Sequence, residues 1–250
     1  MQAQRLPARQ GLQWLLAGFV LLRRNPPLLI SLTLAYWLTF AVLVQLSPTF
    51  GSLLLPCLLP LATLILANGY RAVAEGKSWP LPKGSLFVGI HRQHRALWHL
   101  CGLNFLASLL IVLISTLLLG DAFDSPDAVR EDPVGLLMVL GELFIISMPL
   151  LLAFWFSPLL TGWDNVPAIK SLFFSLVACL RNWPAFTVYG LAAVAGAVVI
   201  PGLFMAVMLI LAPDAGATLF TVMRMAFLML LAPALMAGAY LGYRDIFRHD

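Results

Sequence analysis

Apolar positions along this chain fall in long unbroken runs rather than in strict alternation. Crossing about 30 Å of hydrocarbon takes a helix of roughly 20 apolar residues. Six runs meet that length: 28–46, 52–72, 100–119, 134–160, 185–212 and 218–241. The longer ones must tilt, bend at Pro149, Pro158 or Pro201, or extend past the headgroups. Residues 47–51 join the first pair and 213–216 the last, both with turn composition. The pattern predicts an all-α polytopic membrane protein, its six transmembrane helices arranged as three hairpins.

Three intervening stretches are amphipathic and predict short surface helices. In 84–99, Leu86, Phe87, Ile90, Leu97 and Trp98 take one side, and His91, Arg92, Arg95 and His99 the other. Such a helix lies in the interface with its basic face toward anionic headgroups, so these four are the candidate anionic-lipid contacts. In 168–182 a narrow stripe of Ser171, Ser175, Ala178 and Asn182 suits packing among helices through small residues. In 8–24, Arg9, Gln10 and Gln13 precede Trp14 and Phe19, and Arg23 and Arg24 follow, as expected of an in-plane helix.

Composition agrees. The 250 residues are 61% hydrophobic and 10% charged, with mean hydropathy +0.94, against about 25% charged in soluble domains. Disorder, a disulfide scaffold and a nucleic-acid module are excluded. The pI near 9.2 reflects basic loops, which the orientation rule for membrane proteins explains first. Thirteen of the 15 Lys and Arg fall on one side of the hairpin scheme: Arg5, Arg9, Arg23, Arg24, Arg71, Lys77, Lys83, Arg92, Arg95, Lys170, Arg181, Arg244 and Arg248. The other side has Arg130 with Asp121, Asp124, Asp127, Glu131, Asp132 and Asp214. Basic loops stay in the cytoplasm, which places both termini there. Basic residues on both flanks of the first apolar run, with no small-residue cleavage site, argue against a cleaved signal peptide.

The chain reads as a single integral membrane domain, 1–250, with an approximate threefold repeat (8–73, 84–164, 166–245). Each unit ends on a glycine, an aromatic and a charge: Gly69-Tyr70-Arg71, Gly162-Trp163-Asp164 and Gly242-Tyr243-Arg244. Arg24-Asn25-Pro26 opens the first span and Arg181-Asn182-Trp183-Pro184 the fifth, whereas the middle unit has Leu97-Trp98-His99.

Chemistry-bearing residues are few. Glu142 and Arg224 stand inside spans at similar depth and form a candidate buried ion pair between the fourth and sixth helices. Gln45, Asn68 and Asn104 are expected to bond across helices. Cys57, Cys101 and Cys179 form no Cys-x-x-Cys and act as small apolar residues. His91 and His94 lack a third ligand nearby, and the acidic loop 121–132 lacks calcium-loop spacing, so no metal and no cofactor is expected. Phosphate-binding, nucleophile-elbow and zinc-protease motifs are absent.

Pro7-Ala8-Arg9-Gln10-Gly11 with Trp14, Phe19 and Asn25-Pro26 resembles the opening of a family of uncharacterised six-helix proteobacterial inner-membrane proteins. Phe156-Ser157-Pro158, Ala168-Ile169-Lys170-Ser171-Leu172 and Ala178-Cys179-Leu180-Arg181-Asn182 resemble its second signature. The resemblance implies the bacterial inner membrane and a six-helix fold, and brings no activity or ligand. The functional expectation is a non-enzymatic accessory, assembly or lipid-organising component, its partners anionic phospholipid at the cytoplasmic face and a membrane protein. A small-solute transporter or channel is the alternative.

Overall fold

A backbone in hydrocarbon must satisfy its own polar groups, and apolar runs of this length do so as helices. The computed structural model describes residues 3–77, 80–124, 133–211 and 216–247. Its helices are α1 (Arg9–Arg24), α2 (Pro26–Leu46), α3 (Pro48–Ala74), α4 (His94–Asp124), α5 (Pro133–Trp155), α6 (Ser157–Asp164), α7 (Ala168–Arg181), α8 (Trp183–Val194), α9 (Ile200–Leu211) and α10 (Gly216–Ile246). Among the described residues six helical stretches are long and apolar enough to cross a membrane: Pro26–Leu46, Phe50–Ala74, His94–Leu118, Val134–Asp164, Trp183–Met208 and Phe220–Ile246. Residues 125–132 of the acidic loop, and residues 212–215, which include most of the turn read from the sequence, lie outside the described residues.

Local chemistry sets the boundaries. Asn25 accepts a hydrogen bond from the Leu28 amide at 3.3 Å, and Pro26 follows at the first helical position, a stop and restart between α1 and α2. Asn165 ends α6 in the left-handed conformation, φ 57°, which asparagine tolerates better than most residues.

The expected bends have distinct physical forms. At Phe156 the fourth span breaks, with Pro158 opening α6. The Phe156 amide donates to Ser175 Oγ at 3.0 Å, and that hydroxyl donates to the Leu152 carbonyl at 2.8 Å. A serine from α7 thus takes the place of one rung of the helical ladder. Before Pro201 the fifth span relaxes into a π segment, Ala195–Val199, joining α8 to α9. Proline lacks the amide for a regular turn there.

One expected element differs. Residues 84–99 are not a single surface helix: Ser85–Phe87 is a 3₁₀ turn, turns follow to Gln93, and α4 begins at His94. Gly84 and Gly89 hold φ of 82° and 81°, a region that breaks a right-handed helix. Gly89 also rests on the backbone of Gly162, so that a Cβ there would strike the Gly162 carbonyl. Arg95, Trp98 and His99 therefore ride on the first turns of the third span.

Contacts divide the chain into two compact units: 1–39, 65–88 and 178–250, and 40–64 with 89–177. In the first, α1 packs against α8 and α10. A side chain at Gly11 would enter the Ala185 carbonyl, and one at Gly18 the Ala234 carbonyl. Ala234, Gly238 and Gly242 present small residues every fourth position, the spacing that lets membrane helices approach closely. In the second unit, Asn104 Nδ2 donates to the Pro56 carbonyl at 2.8 Å. That carbonyl lies four residues before Pro60, whose missing amide cannot reach it.

Candidate functional site

Some of the polar side chains that the fold buries, Asn68 and Thr161 among them, lie near the ends of the predicted repeat units. At the first exit, Asn68 is 2% exposed and donates to the carbonyls of Leu86 (2.9 Å) and Val88 (3.0 Å). Beside it the Tyr70 hydroxyl lies 2.6 Å from Thr33 Oγ1, which donates to the Leu29 carbonyl. At the second exit, Thr161 Oγ1 donates to Ser171 Oγ at 3.0 Å, with both residues fully buried. At the third, Trp14 Nε1 and Gln10 Nε2 both donate to Asp245 Oδ2, at 3.1 and 3.0 Å. The Gly242 backbone lies against the Trp14 ring.

Asn182 makes three side-chain hydrogen bonds. Fully buried, it accepts from the Leu6 amide at 2.8 Å and donates to the carbonyls of Gln4 and Ala178, each at 2.9 Å. It matches Asn25 in sequence but not in role. Asn25 caps its own helix, whereas Asn182 clasps the N-terminal arm, which Gln4 also ties to the Ile246 carbonyl.

The stripe read in 168–182 is buried: Ser171, Ser175, Ala178 and Asn182 are all fully buried. The opposite ridge of α7 is apolar and exposed, formed by Ile169, Phe173, Val177 and Leu180. Helix α1 repeats the design. Trp14, Leu15, Leu21 and Leu22 are buried, and Leu12, Leu16 and Val20 form an exposed ridge at four-residue spacing.

The candidate lipid contacts are at the surface. His91, Arg92, Arg95 and His99 are all exposed, as is Trp98. Arg92 donates to Asn165 Oδ1, which Gln93 Nε2 also reaches at 2.6 Å. His94 Nδ1 lies 3.0 Å from the His91 carbonyl oxygen. Among the described residues no cluster of three His, Cys, Asp or Glu comes together.

Past the α3 terminus, Glu75 bonds Arg71 Nε at 2.9 Å and Lys77 Nζ at 2.7 Å. These contacts, Lys77 first, hold its carboxyl below the ordinary glutamate value against a smaller opposing effect of burial. A cavity of about 80 Å³ lies alongside, lined by Asn68, Arg71, Lys77 and Ser85 together with Ala72 and Val88.

Glu142 and Arg224 lie on exposed faces of α5 and α10, one in each compact unit. Arg224 lines an apolar cavity of about 130 Å³ with Ile200, Pro201, Phe204, Phe220 and Phe227. A charge at the centre of a span costs about 2.5–3.5 kcal/mol on insertion scales, and less toward the interface.

Sequence reasoning missed Asp245, which follows an interfacial motif and reads as surface charge. It also missed the Ala234, Gly238 and Gly242 ladder, whose small-residue spacing was a readable signal. Nothing local marked the partners of Asn182.

No protein-family model and no solved structure matches the chain. A probable inner membrane protein of Burkholderia thailandensis is 32% identical over 207 residues, covering 76% of this chain and 74% of that protein. That identity extends through most of both chains, and the six apolar helices are what an inner-membrane location demands. The chain is a multi-pass membrane protein and belongs to the family of this inner membrane protein.

Proposed function

We propose that the protein is a non-enzymatic component of the bacterial inner membrane that organises anionic phospholipid at the cytoplasmic face. One observation carries the reading: α1 and α7 each have one buried face and one exposed apolar ridge. A helix anchored on one side and apolar on the other is suited to lie in the acyl boundary, its terminal cations at headgroup level. Arg9, Arg23 and Arg24 bracket the α1 ridge, and Lys170 and Arg181 bracket that of α7. Arg92, Arg95, His91 and His99 extend the basic surface. Each cation near such a surface contributes about 1 kcal/mol.

Three hairpins related by an internal repeat fit this role. The contacts that support the repeat have a regular order. The first exit is held by the loop opening the second unit, through Asn68 and the 86–88 carbonyls. The second exit meets the helix opening the third, through Thr161 and Ser171. The third meets the helix opening the first, through Asp245 and Trp14.

The test is lipid retention. After purification in mild detergent, the Arg92→Glu, Arg95→Glu double variant is expected to keep less acidic phospholipid than wild type, with zwitterionic lipid unchanged. Equal retention of both would overturn the reading. Solute flux into vesicles holding only this protein would favour the transporter instead.

A further inference from the structure

The cavity beside Arg224 has two chemistries that a single ligand must answer. Its walls are Phe204, Phe220 and Phe227 with Ile200 and Pro201, and its one full charge is the guanidinium. A purely apolar occupant would cover the phenylalanine walls and offer the cation no anionic partner. A small free anion would leave the phenylalanine walls uncovered. We propose that this is a binding site for one anionic phospholipid, with its phosphate on Arg224 and part of an acyl chain between the phenylalanines.

The depth suits that division. The last apolar run begins at residue 218, and Arg224 comes six residues later, about 9 Å in at 1.5 Å per residue. A long arginine side chain reaches from there to headgroup level. Phe227 lies nearly a turn further in, where a lipid tail belongs. The hollow itself has a local cause. The π segment Ala195–Val199 and the imide nitrogen of Pro201 disturb the regular turn of the fifth span next to the cavity. Charge complementarity selects the occupant: the contact of a guanidinium with a phosphate is a charge-assisted, two-pronged one. Arg224 and Arg244 stand toward opposite ends of α10, so this site is separate from the basic surface residues and does not rest on the reading given for them.

The experiment uses the full chain in nanodiscs of phosphatidylglycerol and phosphatidylcholine, followed by a detergent wash and mass spectrometry of retained lipid. Arg224→Gln is expected to lower tightly held phosphatidylglycerol by roughly tenfold, the loss of one charge-assisted contact. Arg224→Lys should keep most of it. Phe204→Trp, which fills the cavity and leaves the charge in place, should lose the lipid as well. It carries the test if the glutamine variant does not fold. Arg92→Glu with Arg95→Glu should leave this lipid bound, which separates the site from the surface reading. Unchanged retention in Arg224→Gln or Phe204→Trp overturns the proposal, as does displacement by inorganic phosphate alone. Coupling between Arg224→Gln and Glu142→Gln in a thermal double-mutant cycle also overturns it, because a carboxylate and not a lipid then compensates the cation.

Discussion

Asn182 shows how much one side chain decides here. Its side chain bonds Leu6, Gln4 and Ala178, so Asn182→Ala takes this partner from the Leu6 amide and the Gln4 carbonyl, while the Ala178 carbonyl keeps the backbone amide of residue 182. Leaving buried backbone groups unpaired costs about 1–3 kcal/mol each. The expected result is a clear drop in melting temperature in detergent and early protease cleavage of the N-terminal arm. Asn182→Asp should fall between, since a carboxylate still accepts from Leu6 but donates to neither carbonyl. Glu75 governs a smaller, pH-dependent effect. Its folded carboxyl titrates below the ordinary value of 4.5, so its contribution is complete above that pH and is lost as the pH falls through the lower folded value. Acid melting curves of Glu75→Gln and wild type should therefore converge at low pH and separate, by a small margin at this exposed site, toward neutrality. The residue types were legible in the sequence, because amides and carboxylates stand out in apolar runs. Their partners were not: Gln4 and Asn182 are 178 residues apart, and no local pattern couples them.

At the scale of elements, the break at Phe156 depends on a hydroxyl from another helix. Ser175→Ala leaves the Phe156 amide and the Leu152 carbonyl without that bridge. A loss of about 1–3 kcal/mol is expected, measurable as reduced thermal stability, and Ser175→Thr should restore part of it if its methyl is accommodated. The docking of α1 tests the small-residue face. Gly11→Ala places a methyl in the Ala185 carbonyl, backbone that cannot rotate aside. Overpacking of this kind costs roughly 1–3 kcal/mol, and faster amide exchange within α1 would report its displacement. Apolar run length was enough to read the spans, and Pro149, Pro158 and Pro201 marked where bends were expected. The 84–93 segment was misread as helix because its apolar and basic positions have helical spacing. Gly84 and Gly89 override that periodicity through positive φ, and the backbone contact that requires Gly89 lies 73 residues away at Gly162.

For the whole molecule, the charge distribution makes a topological prediction. With 13 basic residues assigned to one side and one to the other, reporter fusions at Gly76, Asn165 and Asp250 should report the cytoplasm. Fusions at Thr49, Asp127 and Asp214 should report the outside. A single fusion on the wrong face would refute three hairpins with both termini inside. Class, number of spans and membrane location were determined by the sequence alone, because burying a span in lipid depends on summed hydropathy and length, which add along the chain. The proposed repeat rests in the sequence on punctuation, in glycines, aromatics and prolines. What tertiary structure alone decided is which polar group meets which: Trp14 with Asp245, Asn104 with the carbonyl that Pro60 leaves open, Arg224 with a phenylalanine-lined hollow. Hydrogen bonds and cavities depend on distance and direction between atoms remote in sequence. Hydropathy carries no information about either.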